Sequence, residues 1–330
     1  MDNLTHTLTA ISLGHAGLER KTRFATLALV LGSNLPDIDL AWSFRGPAGY
    51  LKYHRGITHS FLGVTVLAAG LGLLLLYLAR RSPAKRNAPA LNARWLFVIC
   101  WIATATHLLM DFSNAYGVRP FLPFSSRWYA WGIMPIVDPI LLGLLVVGWG
   151  LPALFRLISE EVGAGKPGFR RGAIFALVCM ALLWGLRDRA RRRVLGQLES
   201  HNYADEAPVR LEAFPSMPNP FKWTGVVEAD AAFHLLPANA LEDDVDVEHT
   251  EIFHKPSPSA ALEAASRTTT ATVFYDFARF PWAQVTEMDD GFEIRVRDLR
   301  FALPYTQQER FEIRIRLDKS LRAVSESFHF

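Results

Sequence analysis

Trp95-Leu96-Phe97-Val98-Ile99-Cys100-Trp101-Ile102-Ala103-Thr104-Ala105-Thr106-His107-Leu108-Leu109-Met110-Asp111-Phe112-Ser113-Asn114-Ala115 decides the fold. It is apolar over the ~20 residues that a helix needs to cross a bilayer. It also carries a histidine and an aspartate. His107 and Asp111 are four apart, so on a helix they share one face, about a turn from each other. Thr104 and Asn114 extend the stripe with spacings of three, four and three. A polar stripe on an apolar span faces protein or water rather than lipid.

Further apolar stretches lie on either side, at 24–44, 59–79 and 136–158, with a shorter one at 172–186. Residues 4–18 read as a short helix, capped by Asp2 or Asn3 and ending near Gly17. The start has no basic region ahead of an apolar core, so no cleaved signal peptide is read. The chain has 330 residues, 50% hydrophobic and 20% charged, which excludes a disordered chain. Cys100 and Cys179 both sit in apolar runs and read as small buried hydrophobes. The net charge is +3, with the basic residues in short clusters between apolar runs, a pattern of membrane topology rather than of nucleic-acid binding.

If every stretch crosses, one face carries twelve Lys and Arg in the loops after residues 18, 79 and 155, Lys85, Arg86 and Lys166 among them. The other face carries five: Arg45, Lys52, Arg55, Arg119 and Arg127. The first face is then cytoplasmic. The run Arg187 to Arg193 conflicts with this count, because six crossings place it outside. Six crossings are the expectation adopted.

Downstream of the Pro-rich stretch 207–220 the period changes. Phe292-Glu293-Ile294-Arg295-Val296-Arg297 and Phe311-Glu312-Ile313-Arg314-Ile315-Arg316-Leu317 alternate strictly, as strands with one buried face do. Residues 272–280, β-branched and aromatic, read as another strand, 219–223 as the opening of an earlier one, and Asp289-Asp290-Gly291 as a turn. The fold class is a membrane α-helical bundle of about five to six helices, followed by a small antiparallel β-rich soluble domain. The expected domains are 1–190, a linker 191–220 and 221–330. His234, His249, His254 and His329 show no ligand spacing, and no chemistry is assigned to the β-rich part.

Ionisable residues inside membrane segments are costly and usually mark function. Here they form a set: His6, Asp37, Asp39, His54, His59, His107, Asp111 and Asp138. In the topology above all eight fall at one end of the bundle. Pro36 breaks a regular helix, so Asp37 and Asp39 need not face opposite ways. Histidine with carboxylate and no cysteine suits a divalent transition metal, zinc first, manganese or iron next, and argues against a structural thiolate site. Eight donors serve one ion or two; two ions would sit about 3.5–4 Å apart and activate water for displacement at phosphorus. Asp39 and Asp111 are the candidate bases. The same residues also suit a proton or ion pathway in a transporter, or a structural cluster in a membrane scaffold.

Asp2-Asn3-Leu4-Thr5-His6-Thr7-Leu8, Leu35-Pro36-Asp37-Ile38-Asp39, His54-Arg55-Gly56-Ile57-Thr58-His59-Ser60 and His107-Leu108-Leu109-Met110-Asp111, in that order, resemble the YdjM-like family of predicted membrane-bound metal-dependent hydrolases. Pro123-Phe124-Ser125 and Asp138-Pro139 resemble it too, and the likeness covers roughly residues 1–190. It implies an inner-membrane protein with a hydrolase-type metal site. Carried over position by position, His6, Asp37, Asp39, His59, His107 and Asp111 are the first ligand candidates, with His54 and Asp138 next. A more distant similarity to zinc-dependent phospholipase C enzymes, which use a helical His/Asp metal cluster, implies phosphoester chemistry. The expected partners are membrane lipids and a phosphoester or lipid-linked substrate, met at the non-cytoplasmic face. Trp128, Tyr129 and Trp131 read as interface aromatics near its rim.

Overall fold

The computed structural model describes residues 1–83, 88–162, 168–203, 207–302 and 311–329. Lys85, Arg86 and Lys166 of the charge count lie outside them. The chain divides into two compact units, one of residues 1–40 and 55–187, the other of residues 41–54 and 188–330.

The first unit is helical. Helix α1 (Asn3–Ala16) starts where the Asp2 carboxylate accepts from the Thr5 amide at 2.9 Å. The stretch 24–44 does not form one long helix. It gives α2 (Ala25–Gly32) and then a three-ten segment (Leu35–Arg45). Pro36 cannot donate a backbone hydrogen bond, and Asn34 turns its side-chain amide onto the Val30 carbonyl. Helix α3 (Gly46–Tyr53) follows and belongs to the second unit.

Helix α4 (Phe61–Arg81) is capped by Ser60, α5 (Ala93–Phe112) by Asn92 and α6 (Pro139–Val162) by Asp138. These three are long and apolar enough to cross a membrane, α6 over Pro139–Ile158. Helix α7 (Arg170–Glu199) runs unbroken through the basic stretch 187–193. The six crossings expected from apolar length thus reduce, among the described residues, to three helices that meet the requirement of length and hydropathy. The 14-residue length of α1, the break at Pro36 and the arginines of α7 account for the difference.

One core joins α1, α2, α4 and α5 through residues such as Ala10, Leu29, Leu75 and Ile99. Gly32 lets α2 approach α5 closely, since a Cβ there would lie 2.7 Å from that of Ala103. A second core gathers Met110, Leu141, Leu145 and Met180 from α5, α6 and α7.

The second unit holds two four-stranded antiparallel meanders rather than a single sheet. The first is β1 (Arg210–Pro215), β2 (Lys222–Glu228), β3 (Ala232–Asn239) and β4 (Glu251–His254); β1 falls inside the stretch read as a linker. Two short helices follow, α8 (Ala260–Ser266) and α9 (Thr269–Phe277). The second sheet is β5 (Pro281–Met288), β6 (Gly291–Asp298), β7 (Glu312–Asp318) and β8 (Ala323–His329).

The alternating runs form β6 and β7, paired with Ile294 opposite Ile315. Gly291 closes the β5–β6 turn at φ 154°, where a Cβ would collide with the Leu317 carbonyl. The strand expected at 272–280 is corrected to helix α9. The Thr268 hydroxyl caps it, and Thr270, Ala271, Phe274 and Phe277 bury one helical face, so packing overrides β-propensity.

Candidate metal centre

Four side chains from three separate places meet inside the first unit. Asp37 comes from the three-ten segment, His59 from the turn before α4, and His107 and Asp111 from α5. One donor atom from each lies within 4.8 Å of every other. His59 Nε2 is 3.0 Å from His107 Nε2, 3.4 Å from Asp37 Oδ1 and 3.3 Å from Asp111 Oδ2. His107 Nε2 is 3.5 Å from Asp37 Oδ1 and 3.6 Å from Asp111 Oδ2. His59, His107 and Asp111 are fully buried, and the Asp37 side chain keeps 10% exposure.

The far nitrogens fix the tautomers. His107 Nδ1 lies 2.7 Å from the Ser33 carbonyl, an acceptor only, so Nδ1 carries the proton and donates. His59 Nδ1 faces Asp39 Oδ2 at 3.0 Å and is likewise the donor. With both rings neutral, the two Nε2 atoms present lone pairs to each other and to two carboxylates. In that state a cation shared by the four donors relieves the repulsion between them. Carbonyl or carboxylate behind imidazole is also how metal-ligating histidines are held.

The spacings fit an ion. Zinc–nitrogen and zinc–oxygen bonds of about 2.0–2.1 Å in a tetrahedron put ligand atoms ~3.3 Å apart. The five separations above run from 3.0 to 3.6 Å.

The other sequence candidates divide. The His6 ring stacks on His107, with centroids 4.0 Å apart, and its Nε2 lies 3.3 Å from Asp111 Oδ1. Both His6 nitrogens and Asp111 Oδ2 are buried without a hydrogen-bond partner among the described residues. Asp39 stands behind His59, where its Oδ2 also receives the Thr58 hydroxyl at 2.6 Å and the Arg55 amide at 3.0 Å. Asp138 is engaged elsewhere. Its Oδ1 accepts from the Leu141 amide at 2.7 Å, and its Oδ2 meets Arg187 Nη2 at 2.5 Å. It caps α6 and pairs with a buried arginine, and is not one of the four clustered donors. His54 lies in the second unit, its ring stacked on Tyr50.

In the sequence Arg55 counts as a loop charge and stands inside the His54–Ser60 motif. It is buried, with Nη2 3.0 Å from Asp111 Oδ1 and Nη1 2.9 Å from Asn114 Oδ1. Its place between two histidines and before Gly56 was the available signal. The Met1 amine also contacts Asp111. The Ser33 carbonyl is a backbone group, which no side-chain pattern reveals.

A helical unit with membrane-length helices around a buried His/Asp centre defines a membrane protein compatible with a metal site. Residues 1–194 match the YdjM inner membrane protein family, and the chain belongs to that family. It is also similar to the uncharacterized protein YfhP of Bacillus subtilis (strain 168), with 25% identity over 320 residues, covering 91% of this chain and 87% of that protein. No solved structure matches it.

Proposed function

We propose that the protein is an integral-membrane, metal-dependent hydrolase that cleaves a phosphoester or lipid-linked substrate. The observation that carries this reading is the set of five donor spacings of 3.0–3.6 Å that join two imidazole nitrogens and two carboxylates. Asp37, His59, His107 and Asp111 would hold the ion, with His6 beside them. Zinc suits two imidazoles and two carboxylates without thiolate, and manganese or iron are the other ions of that donor chemistry. Such an ion lowers the pKa of water and polarises the bond under attack.

The chain's own groups do the rest. The Ser33 carbonyl and Asp39 hold the two imidazoles with Nε2 inward. Arg55 braces Asp111 and offsets its charge. Asp39, engaged through Oδ2 by three donors, orients His59. Asp37 is the cluster carboxylate with an open side and is placed to take the proton from attacking water. The water oxygen bonds to phosphorus as the bond to the leaving oxygen breaks, and the proton passes to that oxygen. The twelve-to-five Lys/Arg count places the site on the non-cytoplasmic face if all six stretches cross; a reporter fused after Phe330 tests that topology, and a cytoplasmic reporter signal contradicts it.

The test of function is hydrolysis of a chromogenic phosphodiester by the detergent-solubilised full chain. Activity is expected with zinc or manganese, lost on chelation and restored by adding the ion. Metal-loaded protein that cleaves no phosphoester contradicts the reading, and ion flux in vesicles would favour a transporter instead.

A further inference from the structure

Asp37 opens onto a groove. A cavity of about 580 Å³ runs along the first unit, with Asn34 and Asp37 among its polar residues and Leu31, Ile38, Leu71 and Leu74 along its walls. That volume is within the ~300–1,000 Å³ usual for ligand sites. Its lining is amphipathic, combining a carboxylate of the metal cluster with an apolar trough.

The trough is flanked by a helix long and apolar enough to cross a membrane. Leu71 and Leu74 are on α4, a helix of membrane-spanning length, and Leu31, Ile38 and Leu74 are exposed. Leu71 and Leu74 stand ten and thirteen residues beyond Phe61, the first residue of α4, which at 1.5 Å per residue is ~15–20 Å along the helix. One leaflet of a bilayer's hydrocarbon core is about 15 Å deep. Leu71 and Leu74 are therefore about one leaflet's depth along α4 from its first residue.

A second apolar cavity of about 530 Å³ lies between α4 and α5, lined by Val64, Ala105, Leu108 and Phe121 among others, and holds none of the cluster residues. Only the first of these two cavities joins apolar wall to chemistry.

We propose that the groove beside Asp37 takes one acyl chain of a glycerophospholipid and delivers its phosphodiester to the cluster. The proposal rests on the hydrolase reading and narrows its substrate to a membrane lipid that stays in the bilayer during reaction. The trough binds the chain, and the cation held by the cluster is what makes an anionic headgroup acceptable beside Asp37.

The test uses the full chain in phosphatidylcholine nanodiscs containing a small share of phosphatidylglycerol with a diazirine midway along one chain. After irradiation, labelled peptides are mapped by mass spectrometry, and bound metal is counted in parallel. Labels are expected within residues 30–40 and 71–74. Leu31→Trp and Leu74→Trp, which fill the trough from opposite walls, should each lower them about tenfold, the change that ~1.4 kcal/mol of lost binding produces. Ala105→Trp, which fills the other cavity, should leave them unchanged, and all three variants should keep their metal. Label spread evenly over the exposed apolar helix faces, or lowered by Ala105→Trp and not by the other two, overturns the proposal. Should a filled variant fail to fold, the wild-type map alone decides. Groove labelling in wild-type protein that binds no metal would support lipid binding and contradict the hydrolase reading alone.

Discussion

Two buried polar assemblies, one in each unit, are built on opposite principles. In the second unit Asp298 is surrounded by donors. Arg300 approaches its Oδ2 at 2.7 Å, and the amides of Arg279, Phe280 and Arg300 all point at the carboxylate. Arg300 also reaches the Phe277 carbonyl at 2.9 Å, so charge meets charge and donor meets acceptor. In the first unit, acceptors face acceptors: two imidazole lone pairs and two carboxylates crowd together, and Arg55 braces Asp111 from one side. A satisfied buried pair needs no ligand. A cluster of converging lone pairs does, and that contrast separates a structural network from a candidate metal centre.

The contrast breaks first at His59. His59→Ala removes one lone pair and the link to Asp39. It is expected to abolish phosphodiester cleavage and to weaken metal binding by more than the ~10–100-fold typical of an outer partner, measured by competition with a chelator. Asp298→Ala should do the reverse. It strands Arg300 in the interior and should destabilise the second unit by about 3–5 kcal/mol, seen in thermal melts, while metal content stays at the wild-type level. Asp39→Asn sharpens the picture from behind the site. The neutral amide no longer fixes the His59 tautomer, and metal affinity should fall ~10–100-fold with the fold intact. The smallest effect is expected at Gly32→Ala. Its Cβ presses on Ala103, should cost about 1 kcal/mol by overpacking, and shifts the neighbouring Ser33 carbonyl away from His107, so a small drop in metal affinity should accompany a slightly lower melting temperature.

The α5 stripe was legible because helical spacing alone places Thr104, His107 and Asp111 on one face, and all three are buried; Asn114, also buried, lies beyond the end of the helix. The alternation in β6 and β7 was legible for the same reason, a fixed period with one buried side. Apolar length proved a weaker guide. Residues 24–44 have the composition of a span, yet Pro36 and the Asn34 side chain divide them. Helix α9 shows packing outweighing its threonines and aromatics. Pairings distant in the chain were the least accessible. Nothing near Asp138 announces Arg187, 49 residues away, and Arg187 itself reads in the sequence only as the first member of a basic run. The grouping of residues 41–54 with the second unit has no local signature either.

The central claim is that the first unit holds a transition ion and the second does not. Elemental analysis of purified full-length protein tests it most directly, with wild type beside His107→Ala and Asp298→Ala. About one or two ions per chain are expected in wild type, at most a trace in His107→Ala, and the wild-type amount in Asp298→Ala. Wild-type protein without zinc, manganese or iron after exposure to them, or metal that survives His107→Ala, would contradict the account.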